Sequence, residues 1–476
     1  MLFNSIEFAI FLPIVFLLYW YVFQRNLKLQ NLFILAASYL FYGWWDWRFL
    51  SLVVFSSFVD FFVGLALKNE EKQSKRKLFL LISIVINLGL LGFFKYYNFF
   101  VDSFVDAFTL FGKQLNVSSL RIILPVGISF YTFQTMSYSI DVYKRNLKPT
   151  SDIIAFLAFV TFFPQLVAGP IERATNLLGQ FYTKRTFDYA NAVNGLRQIL
   201  WGLFKKIVIA DNAAKIVSDV FANYGSYNGS MLLLGGIFFA FQIYGDFSGY
   251  SDIAIGTSRL FGFKLMKNFA FPYFSRDIAE FWRRWHISLS TWFRDYLYFP
   301  LGGSKGGTGM KVRNTFIIFI VSGFWHGANW TFIIWGALNA IYFLPLLLAK
   351  KNRANLDVAA KGKYLPNIKE IFQIGTTFFL TIIAWIFFRA ANVTEAIAYL
   401  QQMFSASLFA MPTYLPSQTV ILILIFVVIE WLGREKEYAL ENIKLPAVLR
   451  WSLYYAIIFT IFEFGGTQQE FIYFQF

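Results

Sequence analysis

Only two side chains in the 476 residues carry an imidazole, His286 and His326. His326 lies in Val321-Ser322-Gly323-Phe324-Trp325-His326-Gly327-Ala328-Asn329-Trp330, with long apolar runs on both sides. An ionisable group at that depth is expensive to keep away from water and is a functional-site hypothesis by default. A neutral imidazole can take the proton of a hydroxyl as that hydroxyl attacks an activated acyl group. Burial disfavours the charged ring and so keeps the base free. This chemistry suits acyl transfer from a thioester to an alcohol. The indoles of Trp325 and Trp330 would orient the ring and exclude the water that hydrolyses thioesters. A packing role is the plain alternative, with the ring bonded to a backbone carbonyl. A third possibility is a Ser–His nucleophile pair, because Ser322 sits one helical turn before His326. Against it, Ser322 and Gly323 are also the small residues that let helices approach closely.

His286 stands in Phe281-Trp282-Arg283-Arg284-Trp285-His286-Ile287-Ser288-Leu289-Ser290-Thr291-Trp292. It could orient an acyl donor or stabilise charge developing on oxygen, or simply face lipid headgroups. Arg283 and Arg284 could hold the phosphates of a nucleotide donor or anionic headgroups. Asp246 and Asp252 lie in Asp246-Phe247-Ser248-Gly249-Tyr250-Ser251-Asp252-Ile253-Ala254-Ile255-Gly256, inside an otherwise apolar stretch. They require a protein or water environment there, unless the glycines and serines mark only tight helix packing.

The elements that must position these groups are membrane spans. Hydrophobic residues make up 57% and charged residues 14%, more apolar surface than a soluble domain can hide. Runs of about 20 apolar residues recur, the length that crosses a bilayer. Their backbone groups must bond internally, which implies helices. Spans are expected near 6–23, 31–45, 49–67, 78–98, 152–171, 231–245, 314–328, 330–348, 371–389, 418–432 and 450–464, with a less apolar helix at 194–221. Leu124-Pro125-Val126-Gly127-Ile128-Ser129-Phe130-Tyr131 predicts a broken or re-entrant segment over 124–143. Residues 276–300 repeat tryptophans at helical spacing among Arg276, Asp277, Glu280 and Arg294, which predicts an amphipathic helix at the interface. Gly302-Gly303-Ser304-Lys305-Gly306-Gly307 lacks the context of a phosphate loop and is expected to be a connector. The expected fold class is an all-α polytopic membrane protein of about ten to twelve tilted transmembrane helices, with re-entrant and interfacial helices, in a single domain over 1–476.

The net charge of +15 comes from 42 Lys+Arg against 27 Asp+Glu. The basic residues cluster in short loops, as the positive-inside rule requires; no nucleic-acid motif accompanies them. Arg25, Lys28, the loop 68–77 and the loop 350–370 are therefore placed in the cytoplasm, and the loop 391–416, without Lys or Arg, outside. The first apolar run lacks a basic n-region and a small-residue cleavage site, which predicts a retained helix with an outside N-terminus. With no cysteine and two histidines, no disulfide and no metal site are expected.

The Phe281–Trp292 segment, followed by Ser322-Gly323-Phe324-Trp325-His326-Gly327, resembles the membrane-bound O-acyltransferase family. Leu124–Tyr131, Asp246–Gly256 and the closing Phe471-Ile472-Tyr473-Phe474 resemble its bacterial branch. The resemblance implies a ring of tilted helices around a thin centre, with His326 at the family's catalytic histidine and His286 at its second position. It implies Trp282, Arg283, Arg284, Trp325, Asp246, Asp252 and Asn329 as donor-binding or supporting residues. No permanently bound cofactor is implied; acetyl-CoA would be the acyl-donor substrate, entering from the cytoplasm. The acceptor would be an extracytoplasmic polysaccharide such as alginate or another exopolysaccharide. Implied partners are membrane lipid and a periplasmic or extracytoplasmic acetyltransferase of the SGNH, AlgX- or AlgJ-like kind. The implied location is the bacterial cytoplasmic (inner) membrane. The competing reading is a polysaccharide or ion transporter. Broken helices, intramembrane aspartates and a buried His would also fit proton-coupled transport, although no internal repeat is visible.

Overall fold

The structure is a computed structural model, and it describes residues 1–110, 120, 122–167, 169–466, 469, 471 and 472. Among these there is no β-strand, and nineteen α-helices follow in order. They are α1 Ile6–Leu17, α2 Leu27–Lys68, α3 Gln73–Leu91, α4 Tyr97–Leu110, α5 Ile128–Tyr143, α6 Ile153–Thr161, α7 Phe163–Leu166, α8 Ala174–Leu177, α9 Tyr189–Leu203, α10 Asp211–Ala222 and α11 Gly229–Leu260. Then come α12 Ile278–Arg284, α13 Ile287–Phe293, α14 Thr308–His326, α15 Trp330–Leu348, α16 Ile368–Arg389, α17 Val393–Met403, α18 Ser417–Gly433 and α19 Ala447–Phe464. Tyr473–Phe476, part of the closing motif and of the C-terminal segment, lie outside the described residues.

Among the described residues six helical stretches are long and apolar enough to cross a bilayer: Leu27–Lys68, Gln73–Thr109, Gly229–Leu260, Trp330–Leu348, Ile368–Arg389 and Ala447–Phe464. Ile6–Val22, Ile153–Leu166 and Ser417–Gly433 are shorter apolar helices. The spans expect lipid rather than water on their outer faces, and α19 shows why: Tyr455, Phe459 and Phe462 all point outward. The chain is a multi-pass membrane protein.

Several boundaries differ from the sequence-based expectation for local reasons. The spans expected at 31–45 and 49–67 are one helix, α2, broken at Asp46, whose backbone leaves the helical region (φ −160°, ψ 109°). The span expected at 152–171 divides into α6 and α7 at Phe162, the residue two before Pro164. The expected break near 124–143 is present: Gly127 takes a left-handed conformation (φ 75°) and starts α5. The expected single interfacial helix over 276–300 is not. His286 adopts φ 43°, a left-handed value unusual for a non-glycine residue, and separates α12 from α13. Trp285 and Trp292, expected at headgroup level, are buried in protein instead.

The described chain forms two compact units, residues 1–195 with 257–266, and residues 196–256 with 267–476. In the first, α2, α3, α5 and α6 pack together. Asp60 of α2 is completely buried, and its carboxylate accepts from Ser83 Oγ (2.5 Å), Ser139 Oγ (2.5 Å) and Asn87 Nδ2 (2.7 Å). These bonds tie three helices at one level, where an unsatisfied polar group would be costly.

In the second unit α14 and α15 pack as an antiparallel pair, with α16 against α15. The pair is close because each helix offers a glycine to the other. A Cβ on Gly323 would meet the carbonyl oxygen of Phe332, and one on Gly336 would meet that of Phe319. Gly336→Leu is therefore expected to push α14 off α15 and destabilise the unit by about 1–3 kcal/mol, the usual range for overpacking. The check is thermal melting in detergent beside Gly309→Leu, where a side chain meets nothing within 4 Å. Equal melting of the two variants would show that the contact does not hold the pair.

Candidate active site

His326 is the last residue of α14, 3% exposed, at the end away from the basic start of that helix. The rings around its imidazole include Trp325 at 4.9 Å, Trp335 at 5.1 Å and Phe388 at 5.3 Å between centroids. Asn329 fixes the turn that follows. Its side chain caps α15 by accepting from the Thr331 amide (3.0 Å), and it donates to the carbonyl of Ala391 (2.8 Å). The left-handed corner at residue 286 turns the second imidazole inward, 1% exposed, with Phe247 at 4.6 Å. Asn268 holds that corner: its carbonyl accepts from the Ile287 amide (2.9 Å), its Oδ1 accepts from Ser288 Oγ (2.9 Å), and its Nδ2 donates to Ser251 Oγ (3.0 Å).

The two imidazole centroids are 6.5 Å apart, and Trp325 lies 6.1 Å from His286. The only two histidines of the chain, forty residues apart in sequence, thus share one buried, aromatic-walled compartment. Burial pushes His286 far below the ordinary imidazole range, to about 3, so its ring is neutral. Trp285, Trp385 and Trp335 form a layer of indoles beside the pair: Trp285 and Trp385 are 5.0 Å apart, and Trp385 stacks on Trp335 at 5.7 Å. An aromatic enclosure of this kind can orient an imidazole and limit the access of water, two requirements of base catalysis on a hydrolysable acyl donor.

The remaining expected site residues are distributed more widely. Trp325 belongs to the compartment. Trp282 is one ring removed, 5.6 Å from Trp335, and its Nε1 donates to Asn339 Oδ1 (3.2 Å). Arg283 and Arg284 are engaged within the protein. Arg283 donates to the carbonyls of Asn352 (2.8 Å) and Asn355 (2.6 Å). Arg284 pairs with Glu280 (2.8 Å) and donates to the carbonyl of Asp357 (2.7 Å). Arg276 joins this network, and its bond to Asp357 holds that carboxyl below the usual range. The arginines thus fasten the 352–357 segment to α12.

Asp246 and Asp252 do not face the imidazoles. Asp246 pairs with Lys206 (2.7 Å) and Asp252 with Lys205 (2.6 Å), both lysines lying in the π-helical turn Phe204–Ala210. These pairings answer the need for an environment that the aspartates raised, and they leave no free intramembrane carboxylate there for ion coupling. Trp330, expected over the imidazole, is 55% exposed at the first position of α15; Trp335, further along the helix, takes that place. Ser322 makes no hydrogen bond to His326 among the described residues.

Sequence reasoning missed Phe247, Trp335, Trp385 and Phe388 as walls of the compartment. A signal existed for two of them, since Trp385 and Phe388 lie three apart in a predicted span and so share a face. It also missed that Lys205 and Lys206, charged residues in an apolar run, demanded nearby carboxylates.

A family model described as MBOAT, membrane-bound O-acyltransferase family, matches residues 144–388, which include both histidines and every wall of their compartment. The chain belongs to that family. It is an O-acyltransferase, and the transporter reading falls with that assignment. It is 42% identical over 407 residues to a probable alginate O-acetylase AlgI of Pseudomonas aeruginosa, covering 85% of this chain and 75% of the relative. It is 36% identical over 432 residues to a peptidoglycan O-acetyltransferase of Helicobacter pylori, covering 85% and 80%. A more distant similarity, 32% over 270 residues, is to a teichoic acid D-alanyltransferase of Streptococcus thermophilus, covering 52% and 64%.

Proposed function

We propose that this O-acyltransferase moves an acetyl group from acetyl-CoA on the cytoplasmic side to a hydroxyl on the other side of a bacterial inner membrane, for O-acetylation of an extracytoplasmic polysaccharide. The observation that carries it is the pair of buried imidazoles 6.5 Å apart at the far end of α14. His326 acts as the general base. Its neutral ring takes the proton of the attacking hydroxyl; the C–O bond forms, the C–S bond breaks, and the thiol leaves with that proton. His286, held neutral at its corner, polarises the thioester carbonyl as charge develops on oxygen. The ring walls keep water from competing.

The relatives named for alginate and peptidoglycan support acetyl as the group and a polysaccharide as its destination. In this reading residues 68–77 and 350–370 lie inside, with 391–416 and the N-terminus outside, and the distribution of basic residues over the loops supports it. Handover to the glycan falls to an extracytoplasmic SGNH-type partner, and no cofactor is held between turnovers. Reconstituted protein given acetyl-CoA radiolabelled in the acetyl group is expected to place label in an alkali-labile ester on an added polysaccharide or its partner enzyme. Ser322→Ala should retain this transfer within about twofold, because Ser322 is not the nucleophile in this scheme. Label that never reaches an ester, or transfer abolished in Ser322→Ala, would sink it.

A further inference from the structure

A cavity of about 200 Å³ lies between α11, the 271–274 turn, α16 and α18. Its walls are aromatic: Phe241 and Tyr244 from α11, Phe271 and Tyr273 from the turn, Phe378 from α16 and Phe426 from α18. Glu430 also borders it, but its carboxylate is engaged within the protein, accepting from Trp201 Nε1 (3.0 Å) and the Tyr244 hydroxyl (2.6 Å). The space that remains is apolar, and an apolar cavity of about 150 Å³ already stays dry and takes an apolar guest.

The surroundings say which guest. Gly375 of α16 and Val427 of α18 also line the cavity. Gly375 is exposed, and a Cβ there would meet nothing within 4 Å, so the cavity opens between these two helices. Ile371, Phe379, Leu424 and Val428 beside them are exposed, an apolar face that belongs against lipid. Gly375 lies seven residues into α16 and Val427 six before the end of α18. At 1.5 Å per residue the opening is about 10 Å inside both helix ends. That is the depth of acyl chains and not of headgroups.

A cation marks the other end of the guest. Lys267 Nζ lies over the ring of Phe271, a wall residue, at 5.5 Å, and it donates to the carbonyl of Lys436 just beyond α18 (3.2 Å). Among the described residues no carboxylate lies within ion-pair distance of this half-buried ammonium. A lysine so placed, on the end of the helices where Lys363 and Lys369 are also exposed, suits a lipid phosphate.

We infer that this is a binding site for an anionic phospholipid of the surrounding bilayer, with one acyl chain in the cavity and the phosphate at Lys267. The site goes beyond acyl transfer, yet it backs the active site. Tyr244 and Tyr273 pack on Trp285 at 6.1 and 5.9 Å, and Trp285 belongs to the indole layer beside the imidazoles. A seated chain braces that layer from behind.

The test is photo-crosslinking of purified full-length protein in phosphatidylcholine nanodiscs, with peptides read by mass spectrometry. Two trace probes carry a diazirine in the same acyl chain, one with a phosphatidylglycerol headgroup and one with phosphatidylcholine. Label is expected in 271–274, 374–378 and 426–427 above its level in α19, whose outer face also meets lipid. The phosphatidylglycerol probe should label these segments about fivefold more than the other, the scale of one lysine facing an anionic headgroup. Lys267→Gln should bring the two probes level, and Lys267→Arg should keep the preference. Gly375→Trp, which fills the opening without a clash, should reduce labelling by both probes there at an unchanged melting temperature. Equal labelling by the two probes in wild type, a preference that survives in Lys267→Gln, undiminished labelling in Gly375→Trp, or label no higher than in α19 would each overturn the assignment. Displacement of the label by acetyl-CoA would overturn it too, giving the cavity to the acyl donor. None of these readings depends on acetyl transfer, so the site stands or falls apart from the activity proposed above.

Discussion

His326→Ala is expected to lower acyl transfer by about a hundredfold to ten-thousandfold, the range associated with a positioned general base. The reason is geometric as much as chemical. The imidazole is enclosed by Trp325, Trp335 and Phe388, with His286 6.5 Å away. Asp246 and Asp252 are paired with lysines elsewhere and offer no alternative base beside it. His286 has a separate place in this scheme, held at its own corner against Phe247, where it faces the carbonyl and not the attacking hydroxyl. The alanine leaves a cavity, which a second variant controls for: His326→Gln fills most of the volume and should be as inactive as alanine while melting closer to wild type. The measurement is the initial rate of labelled acetyl transfer, set beside thermal melting of the same preparations. If His326→Gln transferred acetyl at the wild-type rate while remaining folded, the ring would be a packing element and the base would have to be sought elsewhere.

How much of this was legible in the sequence depended on whether the information was local. The spans and the break before α5 were, since each follows from an apolar run or from the Leu124-Pro125-Val126-Gly127 segment. The isolation of His326 in apolar sequence marked it before any geometry was known. What could not be read was pairing at a distance. Lys205 and Lys206 precede Asp252 and Asp246 by a full helix and a turn, and nothing in a period of 3.6 says which helices will face one another. The left-handed backbone at His286 is equally invisible, because no glycine announces it. That one conformation separates the expected interfacial helix into α12 and α13 and brings the second imidazole to the first. Arg283 and Arg284 looked like anion ligands by composition; their partners are backbone carbonyls of a loop some seventy residues on, together with Glu280 one turn back. Trp330 and Trp335 were indistinguishable as indoles near a histidine until helix α15 fixed which one points at it.

The largest expected effect on stability belongs to Lys206→Met. Lys206 Nζ lies 2.7 Å from Asp246 and 2.8 Å from Asp211, and its side chain is 1% exposed. One cation thus serves two buried carboxylates, and Asp246 also accepts the Ile472 amide (2.6 Å). Removing one partner of a buried ionic group strands the others, with a typical cost of about 3–5 kcal/mol. The consequence should reach the active site. Lys206 belongs to the π-helical turn after α9, and α9 approaches α11 so closely that a Cβ on Gly202 would meet the carbonyl of Gly249. The residue after Asp246 on α11 is Phe247, whose ring packs on His286. Loosening the triad therefore loosens the wall behind the second imidazole. Lys206→Met is expected to give lower monodisperse yield, a depressed melting temperature and reduced transfer together. The triple variant Lys206→Met, Asp211→Asn, Asp246→Asn removes all three charges and should recover most of the lost melting temperature, because replacing a buried ionic group as a whole is often close to neutral. A single Lys206→Met variant that melts like wild type, or a triple variant no better than the single, would mean that packing of α9 on α11 and not the charge triad holds Phe247 in place.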